Sequence, residues 1–168
     1  MSTQPQYSRY AAIVDQLYRS YASIHNPLLR IHALGHTSMV DSFMTLICFR
    51  RNLDPELGKI CALLHDIGKY EGNASHDRHA ALGARMAQSL MEETGLFTDE
   101  EIYNASHAIL YHSDKDKVHE PLCEALKDAD TMASWAAMPN MTLPEARAAR
   151  LIKTLEELGI QSRSDKAV

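Results

Sequence analysis

Six residues of kinds that proteins keep out of hydrophobic cores fall on the apolar stripes of this chain's helical segments. A helix turns by about 100° per residue, so positions i, i+3, i+4, i+7 and i+11 share a face. His36 heads the stripe Val40, Phe43 and Ile47, while His65 continues Leu57 and Cys61 with Asp66 beside it. His79 heads Leu82, Gly83, Met86 and Leu90; His112 follows Ile102, Ala105 and Ile109; Asp130 follows Leu122 and Leu126. All six are expected to face the interior. One histidine so placed is ordinarily a hydrogen-bonded core residue. Burying four imidazoles and two carboxylates without partners, however, costs several kcal/mol per charged group. A small fold carries such a set when it converges on a cation, so the pattern predicts a metal centre. Imidazole and carboxylate donors suit Fe, Mn, Zn, Co or Ni better than Mg or Ca. Since no cysteine pair has ligand spacing, a closed structural zinc site is not expected.

The stripes imply an all-α bundle of about six to seven helices. Only 7 Gly and 6 Pro in 168 residues leave little punctuation for an all-β chain. A first helix is expected over Tyr7 to about His25. A second, after the break at Asn26-Pro27, spans about Gly35 to Arg51. Asp54 and Pro55 open a third that stops at Gly68, and Ser75 caps a fourth that ends at Gly95. Thr98 with Glu101 forms a capping box for the fifth, Glu120 to Ala137 is the sixth, and Thr142 with Glu145 opens the seventh. We find no repeat or linker, so residues 1–160 read as a single domain, with a polar tail at 161–168 that is expected to fray.

The charge balance excludes some functions. With 17 Lys and Arg against 22 Asp and Glu, the net charge of −5 gives no basic footprint for nucleic acid or an anionic membrane. No apolar run is long enough to span a bilayer and no secretory signal opens the chain, so a cytoplasmic location is expected. Cys48, Cys61 and Cys123, odd in number and set among apolar neighbours, read as reduced core thiols.

The segment Leu63-Leu64-His65-Asp66-Ile67-Gly68-Lys69 resembles the signature of the HD superfamily of metal-dependent phosphohydrolases. The wider pattern matches too: His36 opens an apolar helix 29 residues before His65, and Asp130 lies in a late helix. The resemblance covers roughly residues 30–137. It implies that His36, His65, Asp66 and Asp130 ligate a metal. A second pair, His76-Asp77, sits in a polar stretch and is set aside. Asp128 competes with Asp130 but lies off the stripe, which leaves it as a surface residue or a brace for a ligating histidine. The surroundings of His79 and His112 are similar to the extra ligand positions of HD proteins with two metals. These include symmetrical dinucleoside-tetraphosphate hydrolases and cyclic-dinucleotide phosphodiesterases. Ser113-Asp114-Lys115-Asp116 replaces the Gly-Tyr-Pro element of the latter. One or two ions per chain are therefore expected, with His79 and His112 either ligating the second or lining the pocket.

What the resemblance implies is hydrolysis of a small phosphoester or phosphoanhydride, most plausibly a nucleotide, by a water that the metal acidifies. Asp66 and Lys69 are the expected catalytic groups, with Lys69 neutralising charge on the phosphoryl oxygens. Lys69, Lys115, Arg78 and His107 are assigned to substrate, with Tyr70 a further pocket candidate and His32 at its mouth, although His107 lies off the stripe of its helix. His25 and His119 read as surface or helix-end residues. The expected partner is a small phosphorylated substrate; the oligomeric state is not legible. Two alternatives stand beside this reading: a mixed-valence di-iron oxygenase, as a few HD proteins are, and a non-catalytic ligand-binding or regulatory HD domain.

Overall fold

Capping side chains, Asn26, Asp54 and Thr98, set where three of the helices begin. In the computed structural model, which describes residues 9–160, the helices are α1 (Arg9–Ala22), α2 (Pro27–Arg51), α3 (Pro55–Leu64), α4 (Ile67–Tyr70), α5 (His79–Thr94), α6 (Asp99–Tyr111), α7 (Pro121–Ala137) and α8 (Glu145–Glu157). The all-α expectation holds, and no strand occurs among the described residues. The eighth element arises because the segment expected as one helix to Gly68 breaks at His65–Asp66 and resumes as the single turn α4. Tyr7 and the tail at 161–168 lie outside the described residues.

Several boundaries differ from the sequence expectation for identifiable reasons. The second helix starts at Pro27, because the Asn26 side chain accepts from the amides of Leu28 and Leu29 and proline is tolerated in the first turn. Gly35 is thus mid-helix. α5 starts at His79 because residues 76–78 are used in a turn on the Ser75 carbonyl, which accepts from the amides of Arg78 and His79. α8 starts at Glu145 without the expected Thr142 box, since Pro144 biases Leu143 away from helical geometry. The Thr98–Glu101 box forms as expected. α1 ends at Ala22, short of His25.

Ile13, Leu17 and Tyr21 of α1, Val40, Met44 and Ile47 of α2, and Ile60, Cys61 and Leu64 of α3 form the core with Ile67, Ile109 and Leu126. On α5 the buried face is His79, Gly83, Ala84, Ala87 and Met91, so the expected stripe of Leu82, Met86 and Leu90 lies at its margin. Small residues face inward there because α4 approaches closely. A Cβ on Gly68 would overlap the His79 carbonyl oxygen and the Gly83 amide nitrogen. α2 packs chiefly on α3 and α7, and α5 on α6 and α4. The three cysteines are free and buried.

Candidate metal centre

The bundle gathers the six inward residues at one place from five different elements. His36 comes from α2, the His65-Asp66 pair from the break between α3 and α4, His79 from the first position of α5, His112 from just past α6, and Asp130 from α7. All are buried, the most exposed at 8%. His36 Nε2 lies 3.2 Å from His65 Nε2 and 3.1 Å from Asp130 Oδ1. His79 Nε2 lies 3.1 Å from His112 Nε2. Asp66 stands between the two pairs. Its Oδ2 is 3.9 Å from His36 and 3.6 Å from His65, whereas its Oδ1 is 3.4 Å from His79 and 3.7 Å from His112. The donors thus form two groups, His36/His65/Asp66 and Asp66/His79/His112, that share one carboxylate.

Hydrogen bonds from the far side of each ring decide what these nitrogens offer. Nδ1–H donates to the carbonyl three residues earlier in three rings: His65 to Ala62 at 2.7 Å, His79 to His76 at 2.6 Å and His112 to Ile109 at 2.7 Å. That assignment leaves Nε2 of each ring as a lone pair aimed inward. The lone pairs of His79 and His112 then face each other at 3.1 Å; the Ser113 hydroxyl, 3.2 Å and 3.3 Å away, can donate to one of them, and a cation would serve both. Burial pushes the His65 imidazole down to about 4, keeping it the neutral donor that a metal requires. Burial would raise Asp66, yet the facing imidazoles and Lys69 outweigh it and hold the carboxyl well below its usual range. Asp130 is likewise held low against burial by Lys115 and His36. An ionised carboxylate beside the neutral His65 imidazole fits a divalent metal.

A cavity of about 480 Å³ opens over the centre. His36, Asp66, His79, His112 and Asp130 form its floor, and Lys69, Lys115 and Arg147 supply cations. Lys69 Nζ is 3.1 Å from Asp66 Oδ2 and its side chain is 41% exposed. Lys115 is less free: it donates to Asp130 Oδ2 at 2.6 Å and to the Lys127 carbonyl at 3.1 Å. His32 lies at the rim as expected, stacked on His36.

Other expectations are corrected. Arg78 is exposed and bonded to Ser75 Oγ, away from the cavity. His107 sits between Tyr103 and Tyr111, beside Glu120 and Cys123, and does not line the cavity either. Tyr70 is buried behind the rim, edge-on to His32 and Tyr21. Asp128 is neither a surface residue nor a brace for a histidine: it is buried between Arg51 at 2.6 Å and Arg150 at 2.7 Å. His119 is half-buried, accepting from Lys127 Nζ at 2.7 Å. The sequence pattern gives no sign of Arg147, 3.5 Å from Asp130 Oδ2, while His76, set aside with Asp77 above, is exposed yet lines the cavity.

Fold and centre together define an all-α protein with a buried histidine–aspartate site suited to divalent metal. The family model for the HD domain matches residues 33–152, and the chain belongs to that family. The family is of metal-dependent phosphohydrolase type and binds divalent metals. No curated protein and no solved structure matches the chain. No helix among the described residues is long and apolar enough to cross a membrane.

Proposed function

We propose that the chain is a phosphohydrolase that uses one or two divalent transition-metal ions to cleave a small phosphoester or phosphoanhydride, most plausibly of a nucleotide. The observation that carries this reading is Asp66: its two oxygens face two histidine pairs, and in three of those four rings, His65, His79 and His112, Nδ1 is taken by a backbone carbonyl, which leaves Nε2 to face inward. A metal bound there supplies an acidified water and an electrophile for a phosphoryl oxygen. His36, His65, Asp66 and Asp130 would hold one ion, with Asp66, His79 and His112 for a second.

The remaining residues fit an anionic substrate. Lys69 Nζ, half-exposed at the cavity wall, can meet a phosphoryl oxygen and neutralise charge that grows during attack. Arg147 offers a guanidinium fork suited to phosphate. Met39, Met138 and Met141 add an apolar wall able to take an uncharged part of the substrate, such as a base. A cavity of about 480 Å³ lies within the ordinary range for small-molecule sites.

The test is phosphate release by metal-loaded protein across nucleotides and simple phosphoesters, with and without oxygen, alongside Asp66→Ala. Turnover that needs no oxygen and vanishes in Asp66→Ala supports the hydrolase. Turnover only in air would replace it with the oxygenase reading, and a metal-bound protein inert throughout would replace it with a binding module.

A further inference from the structure

A separate group of metal-type donors lies where α6 meets the start of α7, outside the cavity. His107 Nδ1 is 3.3 Å from Glu120 Oε2 and 3.7 Å from Cys123 Sγ, and Cys123 Sγ is 3.6 Å from Glu120 Oε2. Donors held tetrahedrally by one zinc ion, at about 2.0–2.3 Å each, stand about 3.3–3.6 Å apart. Two of the three observed edges fall within that spacing, and the third, His107 to Cys123, exceeds it by 0.1 Å. We propose that His107, Glu120 and Cys123 form a second metal site, for a zinc-like divalent ion, with its fourth position open to solvent.

The local structure prepares the site. Tyr103 stacks on the His107 ring at 5.5 Å and Tyr111 meets it edge-on at 4.7 Å, which fixes the imidazole while its Nδ1 faces the other donors. Glu120 is the residue before α7 and Cys123 its third residue, so one helix start presents both. The Cys123 residue is buried, whereas the Glu120 side chain is 65% exposed, which leaves one side for water and for entry of the ion. A thiolate–imidazole–carboxylate set selects zinc or cobalt over magnesium and calcium. Without an ion, the Cys123 thiol donates to Glu120 Oε2 at 3.6 Å. An ion takes that proton's place. Once filled, the site would tie α6 to α7, the helices next to His112 and bearing Asp130.

Cobalt(II) separates this site from the cavity centre, because the six residues proposed there offer only nitrogen and oxygen. After chelator treatment, cobalt added to the full chain should produce a near-ultraviolet thiolate-to-cobalt charge-transfer band that zinc then abolishes by displacement. Cys123→Ser should lack the band. His107→Gln and Glu120→Gln should weaken cobalt binding, read from the same band, by about 10-fold or more, since loss of even an outer partner costs that much. Glu120 is exposed, so its variant keeps the fold. No band with excess cobalt, a band persisting in Cys123→Ser, or unchanged affinity in both His107→Gln and Glu120→Gln would overturn the proposal. None of these readouts depends on whether the cavity centre hydrolyses phosphate.

Discussion

Asp130 turns Oδ1 toward His36 at 3.1 Å while Lys115 holds Oδ2 at 2.6 Å, so the lysine fixes which carboxylate oxygen the centre receives. Lys115 thereby acts as a positioning residue. Lys115→Met should lower metal affinity by about 10–100-fold, the usual cost of losing such a partner, with the helical circular dichroism unchanged. Lys69 differs because it reaches the cavity from Asp66, with its Nζ over the Tyr70 ring at 4.8 Å, and its side chain is 41% exposed. Lys69→Ala should keep wild-type metal content while turnover on the responsive substrate falls by about 10²-fold, the scale of one lost transition-state contact. Equal turnover in the variant and wild type would remove Lys69 from the reaction. Five of the six buried donors were legible because helical periodicity says which way each points, and Asp66 was legible as the neighbour of His65 in the motif. His107 and Arg147 were not. His107 lies off its stripe and meets a different neighbour, and Arg147 reaches the cavity only through the packing of α8, which no local spacing encodes.

Among the elements, the join of α4 to α5 does most to align the two halves of the centre, because Asp66 immediately precedes α4 and His79 opens α5. Gly68 permits it. An added methyl would collide with backbone on α5, and backbone cannot rotate away as a side chain can. Gly68→Ala should therefore destabilise the fold by about 1–3 kcal/mol and lower metal content by separating Asp66 from His79. Gly35 provides the contrast. It is exposed in the interior of α2, with nothing near an added Cβ, so Gly35→Ala should stabilise by about 0.5–1 kcal/mol. Urea unfolding of both variants checks the pair, and a Gly68→Ala protein as stable and metal-rich as wild type would show that the close approach is dispensable. The sequence marked Gly68 only as a helix stop. Its tighter role comes from Gly83, fifteen residues later, and contact between two glycines leaves no hydrophobic signal to read.

At the scale of the whole molecule, α8 is fastened to the bundle by charge as well as by the buried Leu151 and Leu155. Arg51 of α2 meets Glu157 of α8 at 2.7 Å and Asp128 of α7 at 2.6 Å, while Arg150 of α8 meets Asp128 at 2.7 Å and Glu124 at 2.9 Å. Because α8 also carries Arg147 over the cavity, this network bears on the site as well as on stability. The hydrogen bond from Arg51, against modest burial, holds Glu157 below its ordinary value of 4.5. A carboxyl depressed in the folded state contributes stability that is fully present above its unfolded value and is lost as pH falls through the folded one. The Glu157 contribution should therefore be intact at neutral pH and fade below about 4.5. Glu157→Gln removes the charge at every pH. At pH 7 it should cost on the order of 1 kcal/mol, or about 2–4 °C in melting temperature for a chain of this size. As the medium is acidified the wild type should lose that advantage and the two melting curves converge. Melting both proteins between pH 7 and pH 3 measures the gap directly, and a gap that stays constant or widens in acid would mean that Glu157 does not fasten α8 through its charge.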